Sequence, residues 1–198
     1  MEWIDQKFYF VKNLLKDCKG TLLDLGSRDQ ILKKFIGDEI EYEGCDMEQN
    51  DSKTNTIVNL ENELPFSDNS YDYVTILDVA EHLENPLNLI KKCEKIYRKK
   101  LLIVLPNIAY YEFRLNYLFT GNLGSKYHFS GKKEDDRHKW FTNYFLINSF
   151  FKKNFKNYQI IKVSKTRNKL KFLKYIEVLL GKFFPNFFCW SFLIVFEK

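Results

Sequence analysis

Short apolar runs alternate with longer amphipathic segments along the chain, a pattern that predicts alternating strands and helices. Strand-like runs occupy residues 21–26, 40–46, 56–60, 71–79, 99–107, 157–165 and 191–198, and helical periodicity marks residues 4–16, 30–36, 86–97 and 142–151. Because such strands run parallel with helices on both faces, the pattern predicts an α/β, doubly wound sheet. The long connection before the final strand favours seven strands, with an antiparallel last one.

Composition limits the organisation of the chain. Its 198 residues, 45% of them hydrophobic, are enough for one full core, so we expect a single domain over residues 1–198. The four cysteines form no CxxC pair and lie mostly in apolar runs, which is typical of reduced thiols in a cytoplasmic protein. The N-terminal segment lacks the features of a secretion signal, and no apolar stretch has the roughly 20 residues of a membrane span.

The net charge of +5 is unevenly distributed, with an excess of Lys and Arg from residue 152 onward. A basic C-terminal third is typical either of an anion-binding surface or of a solvated face. Within it, residues 168–188 are apolar on one helical face and carry lysines around it, which allows peripheral membrane contact, packing against the sheet, or a homodimer. We expect packing.

The first strand ends in "LLDLGS", the beginning of a loop that grips nucleotides in many α/β proteins. Asp24 and Gly26 fit that pattern, but Arg28 and Gln30 occupy the places where further glycines are usual. A Cβ at those places narrows the approach of the backbone to a ligand. The sequence therefore predicts a modified but working loop.

Polar residues follow each of the first four strands, and in a doubly wound sheet these strand ends surround the ligand crevice. Asp46 lies about 22 residues after Asp24, a spacing at which an acid accepts hydrogen bonds from ribose hydroxyls. The residues that we expect at this edge are Asp24, Gly26, Ser27, Arg28, Asp46, Met47, Asn59, Leu60 and residues 78–82.

Several segments together resemble the class I S-adenosylmethionine-dependent methyltransferases. The most distinctive is "ELPFSDNSYDYV" leading to "DVAEHLENP", after "LLDLGS" and "EGCDME". Later segments, "LLIVLPNIAYYEFRLNYLFTG", "RHKWFT" and "FPNFFCWSFLIVFEK", look like the MetW-like branch and its relatives associated with bacterial surface polysaccharides. The resemblance covers about residues 15–198 and implies a Rossmann-like fold.

The resemblance also implies a set of cofactor-binding residues. It places Asp24 and Gly26 beside the methionine portion of S-adenosylmethionine and Asp46 on the ribose, with Ser27 and Met47 as further cofactor-binding candidates. Asn59 and the Leu60 backbone fall at the adenine. Many relatives have Asp where this chain has Asn59, but an amide oxygen also accepts a hydrogen bond. Asp78 falls near the methionine ammonium.

A nicotinamide dinucleotide is the competing cofactor, because the same architecture serves both ligands. A pyrophosphate needs a glycine-lined helix N-terminus, which this sequence lacks, whereas S-adenosylmethionine has no phosphate to bind. The missing glycines therefore favour S-adenosylmethionine.

Histidines are the candidates for a general base, because imidazole titrates near neutral pH. His138 in "RHKWFT" is the first choice, His82 the second, and His128 a weaker third. The first two also have a structural interpretation, since His82 could cap a helix and His138 could brace the loop before Thr142.

A metal site is an alternative at Asp78-x-x-Glu81-His82, because residues three and four apart share one face of a helix. A similar Glu-x-x-Glu-His binds a divalent cation in some metal-assisted O-methyltransferases, where it would activate an acceptor hydroxyl. The other interpretation is that Asp78 and Glu81 only surround the methionine ammonium. We expect the second and predict no metal.

Residues 107–140 are too long and too aromatic for a plain connection, so we expect a lid or acceptor site there. The sequence predicts a cytoplasmic methyltransferase that O-methylates a sugar or another small precursor of a bacterial surface glycan. Two alternatives stay open. One is a non-catalytic MetW-like partner protein with a degenerate cofactor loop, and the weaker one is an RNA methyltransferase, for which no nucleic-acid-binding module is found.

Overall fold

A seven-stranded sheet forms the centre of the computed structural model, which describes residues 5–49, 51, 54–127, 137–165 and 171–198. The strands are β1 (Gly20–Leu25), β2 (Ile40–Asp46), β3 (Thr56–Ile57), β4 (Tyr71–Leu77), β5 (Tyr97–Pro106), β6 (Tyr158–Val163) and β7 (Ser191–Glu197). Their order is β3-β2-β1-β4-β5-β7-β6. β1 to β5 pair in parallel, and β7 runs antiparallel between β5 and β6, which confirms the predicted doubly wound, mainly parallel sheet.

Six α-helices accompany these strands within the described residues. They are α1 (Asp5–Leu14), α2 (Pro86–Ile96), α3 (Tyr111–Thr120), α4 (Tyr144–Asn154), α5 (Lys171–Phe183) and α6 (Pro185–Phe188). Asn85 and Asn143 cap α2 and α4, because their side chains accept hydrogen bonds from backbone N–H groups three residues on. No helix of the described chain is long and apolar enough to cross a membrane.

The two faces of the sheet carry separate cores, because successive strand residues point to opposite sides. Leu22 packs on one face with Phe8 and Val11 of α1. Leu23 packs on the other face with residues of α2 and α4, such as Leu89 and Phe151. Helices on both faces are what a parallel sheet requires.

Three details differ from the sequence-based expectation. The predicted helix at 30–36 is a short 3₁₀ helix, Ile31–Lys34, and the predicted strand at 56–60 is paired only at Thr56–Ile57. His82 lies in a second 3₁₀ helix, Ala80–His82, instead of capping an α-helix. A third 3₁₀ helix, Ser125–Tyr127, lies within the segment 107–140 that was predicted to form a lid or acceptor site. The four cysteines are unpaired, and three of them are buried, as predicted for core thiols.

Candidate active site

A cavity of about 680 Å³ opens at the carboxyl ends of β1 and β4, the edge at which the sequence predicted a ligand crevice. One part of its wall comes from the loop after β1 and includes Asp24, Gly26 and Ser27. The opposite part comes from the 107–140 segment and includes Phe113, Tyr127 and His138. Its volume is in the range of a small-molecule site.

The loop after β1 has the backbone of a glycine-rich turn although it contains one glycine. Gly26 has φ +73°, and a Cβ there would lie 2.5 Å from Val79 Cγ2, so a larger residue does not fit. Arg28 and Gln30 also adopt left-handed conformations, with φ of 48° and 53°. A left-handed conformation costs a residue with a Cβ roughly 1–2 kcal/mol of folding free energy. The loop therefore has three residues in the left-handed conformation, and side-chain contacts with other segments must offset their cost.

Asn55 supplies those contacts, and sequence reasoning missed it. Its Oδ1 accepts hydrogen bonds from Ser27 Oγ at 2.9 Å and Gln30 Nε2 at 3.0 Å. Its Nδ2 donates to the Arg28 carbonyl oxygen at 2.8 Å. Ser27, Gln30 and Asn55 are all buried. No sequence signal marks Asn55, because it precedes β3 and reaches the loop only in the folded chain.

Asp24 lies at the end of β1 beside Thr75 of β4, with which it pairs in register. Its carboxylate accepts hydrogen bonds from Thr75 Oγ1 and Tyr42 Oη, each at 2.7 Å. Burial raises its pKa to about 6, against the lowering effect of these two donors. Asp24 is therefore a fixed, desolvated carboxyl group at the base of the cavity.

Asp46 lies at the end of β2, and both of its carboxylate oxygens accept backbone hydrogen bonds. Oδ2 receives the Arg28 N–H at 2.8 Å, and Oδ1 receives the Met47 N–H at 2.7 Å. Each oxygen keeps a lone pair for a ribose hydroxyl. Asp46 thus joins the two loops that are expected to hold the nucleoside.

Asp24, Gly26, Ser27 and Asp78 line the cavity, whereas Asp46 and the remaining predicted nucleoside contacts do not. Met47 and Asn59 are exposed, and Asn59 Oδ1 accepts from the Glu61 N–H at 3.0 Å. The Leu60 side chain is buried in the core. The assignment of Asn59 and the Leu60 backbone to the adenine therefore stays a prediction, in which Leu60 would contribute only its backbone.

Asp78 follows β4 in a left-handed conformation with φ 56°. Its Oδ2 pairs with Lys7 Nζ of α1 at 2.8 Å, and the same ammonium donates to the Leu77 carbonyl oxygen at 3.2 Å. Lys7 lines the cavity and was not predicted as a site residue, because its position in α1 gives no indication of its partner. Asp78 is therefore separated from the proposed Asp78-Glu81-His82 ligand set.

Glu81 instead forms a cluster with two histidines. Its Oε1 lies 3.9 Å from His82 Nε2 and 3.9 Å from His138 Nε2. The carboxylate has no solvent exposure, and neither oxygen has a hydrogen-bond partner among the described residues. Burial and the nearby Asp78 raise the pKa of Glu81 well above its ordinary value.

The two imidazoles are held by the nitrogen that points away from Glu81. His82 Nδ1 lies 3.0 Å from the Arg137 carbonyl oxygen, and His138 Nδ1 lies 2.8 Å from Tyr127 Oη. The rings meet edge to face, with centroids 4.6 Å apart. A carbonyl oxygen only accepts, so the His82 contact places a proton on Nδ1 and leaves Nε2 as a lone pair when the ring is neutral.

The backbone of residues 137–142 brings His138 to this position. The Lys139 N–H donates to the Glu81 carbonyl oxygen at 2.9 Å, and Trp140 Nε1 donates to the Leu83 carbonyl oxygen at 2.7 Å. Thr142 Oγ1 donates to the Pro106 carbonyl oxygen at the end of β5. The predicted base candidates His82 and His138 therefore meet, whereas His128 lies outside the described residues.

Comparisons with known proteins identify the domain and its fold. Residues 23–105, which are less than half of the chain, match the family model of a methyltransferase domain. A structure of an S-adenosylmethionine-dependent methyltransferase from Archaeoglobus fulgidus is 17% identical, with a TM-score of 0.62 and 98% of each chain covered. The chain has the fold of class I S-adenosylmethionine-dependent methyltransferases. The predicted fold is confirmed, and the fold with the matched domain implies S-adenosylmethionine as cofactor.

Two further structures extend the comparison. The small RNA methyltransferase HEN1 is 15% identical with a TM-score of 0.67, and 98% of this chain covers 25% of it. The methyltransferase domain of a bacterial Hen1 is 15% identical with a TM-score of 0.57, and each chain is covered fully. A search of curated protein sequences finds no match. Identities this low show the fold alone.

The residues of the crevice fit the implied cofactor. Gly26, Arg28 and Gln30 all adopt the left-handed conformation that glycines favour in such loops, although two of them carry a Cβ. Asp24 and Asp46 place carboxylates at the two strand ends where the methionine and ribose portions are expected. Asp24, Gly26 and Asp46 would therefore hold S-adenosylmethionine, which supplies an electrophilic methyl group when it is bound.

Proposed function

We propose that the protein is an S-adenosylmethionine-dependent O-methyltransferase that acts on a sugar hydroxyl. One observation carries the proposal: Asp24 and Gly26 of the cofactor loop share a single cavity with Glu81 and His138. Transfer to a hydroxyl needs both alignment and removal of a proton, and such polar groups serve the second requirement. An acceptor between the two walls would reach both.

The chain's own residues divide these tasks. Asp24 and Asp46 are fixed by hydrogen bonds before any ligand binds, so they bind without reorganising. His138 presents Nε2 toward Glu81 and is the predicted proton acceptor. Burial of Glu81 and the partial burial of both imidazoles exclude most water from this end of the cavity.

The acceptor-side wall supports a sugar. Phe113, Tyr127 and Trp190 line the cavity and offer flat apolar faces, while Lys126 adds a positive charge. Aromatic faces pack against the apolar face of a ring, and a cation attracts a phosphate. We therefore keep the glycan-precursor assignment, with a phosphorylated sugar in a cytoplasmic precursor as the preferred acceptor. The MetW-like branch stays a prediction.

Calorimetry with S-adenosylhomocysteine tests the proposal. We expect micromolar affinity for the wild-type chain and a loss of roughly 10- to 100-fold in Asp46→Ala, because hydrogen bonds to a charged group contribute about 1.5–3 kcal/mol. Mass spectrometry should then detect a methyl group on a sugar-phosphate acceptor. No binding by a folded wild-type chain would favour the non-catalytic partner protein instead.

An RNA ribose is the second candidate acceptor. Its support is the fold shared with small RNA methyltransferases, together with the net charge of +5. Filter binding of a short RNA at 50 to 200 mM salt separates the two acceptors, since contacts with several phosphates make affinity fall steeply with salt. Binding with such a slope, and methylation of the RNA, would favour this candidate over the glycan precursor.

A further inference from the structure

We propose that Glu81, His82 and His138 form a binding site for a divalent transition-metal ion at the acceptor end of the cavity. Its ligand atoms, one from each residue, lie within 4.8 Å of one another. The site itself is inferred from these residues alone, and only its role in catalysis rests on the proposed function.

The Glu81 carboxylate is the first reason for the site. It is fully buried, and neither oxygen accepts a hydrogen bond from any described residue. Buried polar atoms in native proteins nearly always have partners, and a buried carboxylate needs a partner most. The groups directly before Glu81 Oε1 are two imidazole Nε2 atoms, each 3.9 Å away. A cation between these three atoms would supply the partner.

The orientation of the imidazoles is the second reason. His82 and His138 use Nδ1 for contacts with the Arg137 carbonyl oxygen and Tyr127 Oη, and they direct Nε2 toward Glu81. Metal-bound histidines show this arrangement, because the outer hydrogen bond fixes the tautomer and makes the inner nitrogen a better ligand. Two such rings beside one carboxylate are hard to explain as core packing.

The ligands indicate the class of ion. Two imidazoles and one carboxylate favour first-row transition metals such as Mn²⁺, Co²⁺ or Zn²⁺ over Mg²⁺ and Ca²⁺, which prefer oxygen ligands. Three protein ligands leave coordination positions open, as in catalytic metal sites. Glu81 and His138 line the cavity, so an acceptor hydroxyl could enter these positions.

This ligand set differs from the Asp78-x-x-Glu81-His82 set that the sequence suggested. Asp78 is bound to Lys7 and does not belong to the cluster, whereas His138 replaces it from a distant segment. A cation here would orient the acceptor hydroxyl and lower its pKa. In that case His138 is a ligand, and the expectation of a metal-free general base is replaced.

Mn²⁺ titration followed by electron paramagnetic resonance tests the site without any need for activity. We expect one Mn²⁺ per wild-type chain. Glu81→Gln should weaken binding by at least about 100-fold, since loss of a ligand exceeds the 10- to 100-fold effect of an outer hydrogen-bond partner. Glu84→Gln is the matched control, because Glu84 is an exposed carboxylate three residues away that pairs with Lys139. It should bind Mn²⁺ like the wild type.

The outcomes separate this proposal from the proposed function. Glu81→Gln replaces the carboxyl group by an amide of the same shape, so it should fold, and binding of S-adenosylhomocysteine is measured with the wild-type chain. Equal Mn²⁺ affinity in wild type and Glu81→Gln, or no Mn²⁺ binding by a wild-type chain that binds S-adenosylhomocysteine, would overturn the metal site. Neither result would affect the assignment of the cofactor.

Discussion

Asp24 lowers the stability of the folded chain at neutral pH, because it places a buried carboxylate at the base of the cavity. Its carboxyl group is buried, and its pKa is raised to about 6 from 3.8. A carboxyl group with a raised pKa binds its proton more tightly in the folded chain than in the unfolded one. The stability that this proton provides is complete below about pH 4 and is lost as the pH rises through 6. At neutral pH the folded chain therefore holds a charge at the base of the cavity.

We expect Asp24→Asn to become more stable relative to the wild type as the pH rises from 4 to 8. The amide does not titrate, and the difference should grow by up to about 3 kcal/mol, the equivalent of a shift of about two pKa units. Urea unfolding of both chains at several pH values measures it. Asp38→Asn, at an exposed acid, is the control. A difference that stays constant with pH would contradict the raised pKa.

Arg28 occupies a position where a glycine is usual in such loops. Its φ of 48° shows that the backbone adopts the left-handed conformation of a glycine despite the Cβ. We expect Arg28→Gly to bind S-adenosylhomocysteine as well as the wild type or better, because glycine adopts this conformation without a Cβ penalty. Arg28→Ala is the matched control, since it keeps the Cβ and removes the guanidinium. A tenfold loss of affinity in both variants would show that the guanidinium binds a ligand.

At the scale of elements, the short 3₁₀ helix Ser125–Tyr127 and the 137–140 segment together position the polar cluster. Tyr127 Oη contacts His138 Nδ1, and its ring stacks on Phe141 with centroids 5.0 Å apart. The hydroxyl therefore orients His138, while the ring holds the segment. These two roles can be separated by a substitution that removes only the hydroxyl.

Tyr127→Phe should preserve the stacking and lose the contact with His138. We expect Mn²⁺ affinity to fall by about 10-fold, the lower end of the effect of an outer hydrogen-bond partner, with binding of S-adenosylhomocysteine unchanged. Tyr117→Phe, at an exposed tyrosine of α3, serves as the comparison. Unchanged Mn²⁺ affinity in Tyr127→Phe would show that the hydroxyl does not orient a metal ligand.

Across the molecule, α3, α5 and α6 carry large exposed apolar side chains, and α5 and α6 belong to the basic C-terminal third. Phe119 and Phe183 are 79% and 71% exposed, and the Arg114 guanidinium carbon lies 4.1 Å from the centre of the Phe187 ring, which links α3 to α6. Exposed aromatic side chains beside basic residues are typical of binding to an anionic bilayer surface. In place of the packing expected for residues 168–188, we therefore propose peripheral membrane contact through the exposed residues of α3, α5 and α6.

Sedimentation with vesicles that contain about a third of anionic lipid tests this contact. We expect the wild-type chain to bind them and to be released by salt, because screening weakens the attraction of surface charges. The double variant Phe119→Ser, Phe183→Ser should stay in solution, and so should the wild type with neutral vesicles. Concentration-dependent dimers that the same double variant abolishes would instead assign the surface to a second copy.

The pattern of apolar and polar residues along the chain was enough to predict the layers of the fold and the edge of the sheet at which the cavity opens. The continuous apolar runs of β1 and β4 predict buried strands, because a strand of a parallel sheet is covered by helices on both faces. Asp24 and Gly26 occur within one turn of each other, and Asp46 follows at a spacing set by one strand-helix-strand unit. Local order along the chain was enough to predict these features.

The folded chain, and not the local sequence, shows which polar groups come into contact. Asn55 stabilises the loop of Arg28 and Gln30, Lys7 takes Asp78 away from the predicted ligand set, and His138 joins Glu81 and His82. Each contact joins residues far apart in sequence, so no local spacing encodes it. Burial decided the rest, because Glu81 lies in a polar, surface-like motif and becomes a buried carboxylate only when residues 137–140 pair beside it. Desolvation depends on all the surrounding elements at once, and these are present only in the folded chain.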